Sequence, residues 1–172
     1  MAYICIRFDA MSADASDEQH ITVGFRPGEI DTAAPTRAAR LKWVIVVDGA
    51  LPAGRAVNAA ACVAAATSPA VTGLLGGPAV DAAGSEHVGL PWAGCSVLAA
   101  DGAALVRIRE RAAASPDVFV ADMPVSAQLT RVYDEYLEVV AAQASEDIVY
   151  AAVGLVGPRN RVDRIVGRLP LL

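Results

Sequence analysis

The stretch "LKWVIVVDGALPAGRAVNAAACVAAAT" constrains the fold more than any other part of the chain. Val44, Ile45, Val46 and Val47 form an unbroken β-branched run. A strand covered on both faces is the arrangement that keeps such a run out of water. Asp48 and Gly49 end the run, and beyond Pro52 comes a segment of high helix propensity dominated by alanine. A helix with so little side-chain bulk can lie very close to a sheet. Strand, short loop and close-packed helix make the opening of a layered α/β unit.

The alternation continues. "AGCSVLAAD" reads as a strand, and "GAALVRIRERAAAS" as a helix with Asp101 as N-cap and Leu105, Ile108 and Ala112 on one face. "DVFVAD" is a further buried strand. Pro124 then opens a predicted helix over residues 126–143, with Leu129, Val132, Tyr133, Tyr136, Leu137 and Val140 as its apolar stripe. "DIVYAAVGLVG" is the last strand. In the closing helix Val162, Ile165 and Val166 form the stripe and Gly167 the stop. Pro170 prevents continuation, leaving Leu169, Leu171 and Leu172 to pack on the body. Strands are therefore expected near 43–47, 95–98, 117–121 and 148–156, in a mainly parallel sheet.

Two regions depart from this pattern. "SPAVTGLLGGPAVDAAGSEHVGLPW" reads as loops and turns; its Glu86, His87 and Trp92 either cover a site or stand idle. Residues 1–40 read as a partly irregular extension. "YICIRF" and "ITVGF" are candidate short strands there, and "MSADASDEQH" and "RPGEIDTAAPTRAAR" are irregular. Residues 41–172 form the α/β domain.

The 172 residues suit one domain with a real core. A net charge of −5 argues against non-specific nucleic-acid binding by the molecule as a whole. Arg159, Arg161, Arg164 and Arg168 nevertheless face only Asp163 near the end of the chain. They are expected to form a solvated face, with a tRNA partner left open. Cys5, Cys62 and Cys95 are odd in number and widely spaced, which fits reduced thiols and a cytoplasmic setting. Cys62 is expected to be a small buried apolar residue. His20 and His87 have no partners at ligand spacing, so neither a metal nor a cofactor is expected. No charge-free apolar run reaches eighteen residues, so no membrane span is predicted. "MAYICIRFDAM" lacks the features of a secretory signal.

Two segments carry a family resemblance. "KWVIVVDGALPAGRAVNAAACVAA" resembles the opening strand, loop and helix of type II peptidyl-tRNA hydrolases. "YAAVGLVGPRNRVDRIVGRLPLL" resembles their closing strand, helix and leucine tail. "TRAARLKWVIVVD" and "AVNAAA" make the chain more similar still to an uncharacterised bacterial family, domain of unknown function 2000, sharing that fold. The resemblance covers about residues 24 to 172. It implies a peptidyl-tRNA hydrolase II-like, three-layer α/β/α sandwich around a small mixed sheet, with the tail as a structural clamp.

The chemistry departs from those hydrolases. Their lysine-rich loop corresponds to Pro52, Ala53, Gly54, Arg55, Ala56 and Val57, where Arg55 is the only cation. Ala61 and Ala64 stand where they carry a glutamine and a histidine. Their aspartate after the third strand corresponds to Asp122, and Ser126 is the nearest counterpart of a threonine that follows it.

The residues themselves point to a site where the alanine helix begins. Free N–H groups and the positive dipole end attract anions there. Gly54 allows close approach, and Arg55 adds a bidentate fork. Asn58 could read a carbonyl or amide, and Gln128 could line the site. Asp122 follows a buried strand at its carboxyl end, where open α/β sheets place ligands, and suits a general base. Ser126 is its catalytic companion in this reading, or else a helix N-cap. The function expected first is a small anionic-ligand-binding module without the lysine chemistry. The alternative is a hydrolase of an ester or amide bond in an anionic substrate. A homodimer is open in either case.

Overall fold

The computed structural model of the protein describes residues 23–172. "YICIRF", "MSADASDEQH" and the first two residues of "ITVGF" lie outside the described residues.

The valine-rich run lies in strand β1 (Leu41–Asp48), and the alanine segment is α1 (Ala53–Ala70). A short hairpin, β2 (Ala79–Val80) and β3 (Glu86–His87), sits in the glycine-rich excursion. β4 (Ser96–Ala100) and α2 (Gly102–Ala113) follow, and the Asp101 side chain accepts from Ala104 N as the expected N-cap. Next come β5 (Phe119–Pro124), a 3-10 turn at Val125–Gln128, α3 (Tyr133–Ala141), β6 (Tyr150–Pro158) and α4 (Arg159–Val166). The four expected strands are therefore present, with ends shifted by a few residues.

The main sheet has the order β4-β1-β6-β5. β1 pairs in parallel with β4, but β6 is antiparallel to both β1 and β5. The expectation of a mainly parallel sheet is corrected: the sheet is mixed, and one of its three pairings is parallel. The reason is β6. Its residues are buried up to Gly157, so its continuous apolar run carries no sign of direction.

Two cores flank the sheet. On one face Leu41, Trp43, Ile45 and Val47 pack with Ala56, Ala59 and Val63 of α1. On the other, Val44, Val46, Val153 and Leu155 pack with Leu105 and Ile108 of α2 and with Val162 and Ile165 of α4. The period-two alternation of β1 and the helical period of each stripe divide the side chains between these cores. Phe25 and Ala39 add to the first core from outside the alternating segment, and Phe25 packs its ring on Trp92 at 4.8 Å between centroids.

The tail departs in detail from what its leucines suggest. Leu169 is half-buried against the second core, but Leu171 and Leu172 are exposed. The tail holds on through its backbone. Ala99 N donates to Pro170 O at 3.0 Å, and Leu172 N donates to Val97 O at 3.1 Å. It thereby covers the free edge of β4, a position that would otherwise present unpaired amides.

The predicted helix over residues 126–143 is also corrected. A 3-10 turn holds its first part, Val132 is extended, and only Tyr133–Ala141 is α-helical. Thr130 closes the turn, its backbone N–H and its hydroxyl both donating to Ser126 O at 3.1 Å each, and the extended backbone of Val132 (φ −113°, ψ 130°) then separates the turn from α3. Ser126 consequently lies inside the turn and is not an N-cap. α3 buries none of its residues, and Leu129, Val132, Tyr133 and Leu137 of the apolar stripe are exposed.

Candidate functional site

The mixed topology brings chosen ends together. β6 lies between β1 and β5 and runs against both, so β1 and β5 point the same way. The start of α1, reached directly from β1, and the 3-10 turn after β5 therefore share one end of the sheet. There Gln128 Nε2 donates to Arg55 O at 2.9 Å and to Asn58 Oδ1 at 3.1 Å. Three of the sequence-predicted residues thus meet. Gly54 lies beside them in the first turn of α1, where a Cβ would meet nothing within 4 Å beyond its chain neighbours and its own helix backbone. Pro52 occupies the N-cap with no side-chain cap, and α1 has no acid in its first turn.

Two atoms of the 3-10 turn stand out. Ser126 Oγ and Gln128 Oε1 are both shielded from solvent and have no hydrogen-bond partner among the described residues. A buried polar atom without a partner costs about 1–3 kcal/mol.

Asp122 is directed elsewhere. In β5, Phe119, Ala121 and Met123 belong to the α1 face, so Asp122 alternates to the opposite one. Arg109 of α2 meets it there, donating from Nε to Asp122 Oδ2 at 3.1 Å, with both side chains part-exposed. The same carboxylate raises the Arg109 pKa. Burial, and next the charge of Asp122, push the Tyr136 phenol above its usual range. Burial also raises the Tyr150 phenol, against the pull of Arg109.

Asp122 and α1 are joined by a cavity of about 420 Å³ at the outer edge of β5. Val63, Met123 and Ala127 give it apolar walls, and Tyr133 and Tyr136 close it from α3. Asp122, Thr130 and Arg131 supply its polar groups. Arg131 has no carboxylate partner among the described residues. Cys62 also lines the cavity, which corrects the expectation that it is buried. Ala56, Ala59, Val63 and Thr67 occupy the inward face of α1, and that spacing turns residue 62 outward. Asn58 lies one helical turn before Cys62, so the Arg55–Asn58–Gln128 cluster adjoins the cavity along α1.

Sequence reasoning overlooked Arg109, Thr130, Arg131 and the two tyrosines. For Arg109 a signal existed: it lies one residue past Ile108 and one turn past Leu105, at the border of the buried stripe of α2. Helical spacing places the tyrosines on the predicted apolar stripe and carries no sign that they wall a cavity.

His87 is exposed on the hairpin, 3.6 Å from Asp81, and is not among the residues lining this cavity. Among the described residues no group of three or more His, Cys, Asp or Glu side chains could hold a metal ion. No helix among them is long and apolar enough to cross a membrane.

A family model described as "Protein of unknown function (DUF2000)" matches residues 41–172. Among solved structures, a protein of unknown function from Agrobacterium tumefaciens strain C58, Atu0240, is similar in fold with a TM-score of 0.71. The two chains are 20% identical over 77% of this chain and 98% of that one. No curated protein matches the sequence.

Proposed function

The chain belongs to the DUF2000 family, and from that premise we propose that it is a binding module for a small amphiphilic anion. The apolar part of the ligand enters the cavity beside β5. Its carboxylate or phosphate group meets either Arg131 at the rim or Arg55 at the start of α1. The observation that carries this reading is the cavity itself. Its volume of about 420 Å³ suits a small ligand, and apolar and aromatic walls surround a few polar groups. The partnerless Ser126 Oγ and Gln128 Oε1 do not bear on this cavity: neither residue lines it, and Ser126 lines a separate hollow with Val125, Leu129 and Val149. Arg55 and Cys62 are seven residues apart on α1, which corresponds to roughly 10 Å of helix rise. An elongated ligand of that reach would engage both ends. The likeness of the chain's two ends to type II peptidyl-tRNA hydrolases supports a site at this end of the sheet.

A hydrolytic reading has one observation in its favour: Asp122 lines the same cavity. Two others favour binding. Asp122 Oδ2 already accepts from Arg109 Nε at 3.1 Å, so that oxygen is engaged by a guanidinium rather than free for a substrate or a water. Ser126 Oγ has no base to accept its proton.

Thermal unfolding with a panel of aromatic and branched aliphatic carboxylates and phosphates, each beside its neutral amide or alcohol, tests the proposal. A ligand at a hundred times its Kd stabilises the fold by about 2.7 kcal/mol. The anionic members are expected to raise the melting temperature, and Arg55→Gln or Arg131→Gln to reduce the rise. Equal effects of acids and neutral analogues, or no effect of any, would refute the reading. Ester or amide cleavage that falls by about 10²–10⁴ in Asp122→Asn would establish the hydrolase instead.

A further inference from the structure

β1 begins before its neighbour does. Val44 is the first of its residues to pair with β4, opposite Ser96, so Lys42 and Trp43 precede the pairing. A second cavity, of about 350 Å³, opens in the gap, away from the site beside β5. Arg37, Lys42 and Arg159 line it, together with Thr36, Ser96 and Trp43, and no acidic side chain does. Three cations around one hollow stand out in a protein of net charge −5.

These cations are held in place. Lys42 Nζ donates to Asp163 Oδ1 at 2.6 Å. Arg159 Nη2 donates to Thr36 O at 3.4 Å and Ala39 O at 3.3 Å, fastening the 3-10 turn Thr36–Ala38 to the first residue of α4. Arg37 rides on that fastened turn and has no carboxylate partner among the described residues. Asp163 offsets one of the three charges and leaves two. The start of α4 adds its positive dipole end beside Arg159. Trp43 is 6% exposed, and its indole Nε1 has no acceptor among the described residues.

We propose that this cavity binds the phosphate group of a small phosphorylated ligand. Two uncompensated cations match the charge of a phosphate better than that of a carboxylate. The guanidinium forks and the hydroxyls of Thr36 and Ser96 match its several acceptor oxygens. The volume fits one such group and a small appendage, whereas a nucleic-acid backbone needs a track of successive phosphates.

Calorimetric titration of the full chain with inorganic pyrophosphate, and separately with a single-stranded RNA oligonucleotide, tests this. Saturable binding of pyrophosphate at one site is expected, with weaker binding of the RNA. Arg37→Gln, whose side chain makes no bond that the fold needs, is expected to weaken pyrophosphate binding about tenfold or more, the scale of one lost charge-assisted bond. Lys42→Gln should act in the same direction. Arg168→Gln, outside the cavity, should leave binding unchanged. Absence of saturable pyrophosphate binding would overturn the proposal, as would equal losses in Arg37→Gln and Arg168→Gln. RNA binding tighter than that of pyrophosphate would overturn it in favour of a nucleic-acid surface.

Discussion

Gly154 sits in the middle of β6, opposite Ile45 of β1 and Ala121 of β5, on the face covered by α1. A Cβ at this position would collide with Val63 Cγ1 and would stand 3.6 Å from Ala121 O and 3.7 Å from Thr67 Oγ1. Val63 and Thr67 are fully buried, and the Thr67 hydroxyl is bonded to Val63 O at 2.8 Å, so neither side chain can yield freely. Gly154→Ala therefore forces α1 away from the sheet or Val63 out of its rotamer, at about 1–3 kcal/mol. Relief of glycine's backbone entropy returns about 0.5–1 kcal/mol. The expected net loss is about 1–2 kcal/mol, or about 2–8 °C in melting temperature for a chain of this size. Urea denaturation of four proteins measures it: wild type, Gly154→Ala, Val63→Ala and the double variant. Val63→Ala alone removes two methyl groups and costs about 2 kcal/mol. In the double variant the new methyl occupies the space the valine left, so the loss should fall short of the sum by at least about 0.5 kcal/mol. An unchanged Gly154→Ala protein, or strictly additive losses, would refute the claim that α1 depends on a bare strand beneath it.

Two further outcomes follow from the same structure. Deleting residues 169–172 removes the bonds from Ala99 N to Pro170 O and from Leu172 N to Val97 O, along with the partly buried Leu169. At about 0.5–1.5 kcal/mol per bond, a loss of at least about 1–3 kcal/mol is expected, and an unchanged melting curve would show that the tail does not hold the β4 edge. The hydrogen bonds from the Arg40 guanidinium and then from Arg26 N hold the Glu29 carboxyl down from 4.5 to about 2. A depressed carboxyl stabilises the fold fully above its unfolded value and loses that contribution as pH falls through the folded one. The stability difference between wild type and Glu29→Gln, followed by thermal unfolding, should therefore be constant at neutral pH and vanish between about 4.5 and 2. A difference that does not change across that window would refute it.

How much of this was legible in the sequence differs by element, and the differences have physical causes. The strands and the buried stripes of α2 and α4 were readable because each buries side chains at its own period, and that period is written in the residues. The direction of β6 was not, since a strand buried on both faces looks the same whichever way it runs. The stripe beginning at Leu129 misled for a related reason: helical spacing of apolar residues implies a helix but does not say what it packs against. Here it does not pack into either core, and the tyrosines wall a cavity instead. The site was half readable. Position along the chain was enough to bring Gln128 toward Arg55 and Asn58, since the two segments follow strands that finish at the same end of the sheet. Facing was the missing step for Asp122. Ala121 and Met123 are its apolar neighbours in β5, and once they are assigned to the α1 face the alternation of a strand sends residue 122 the other way. A charge so placed calls for a counter-ion from the helix layer on that side, and Arg109 at the border of the α2 stripe supplies it. Any chemistry proposed for Asp122 must therefore work with a guanidinium already in place.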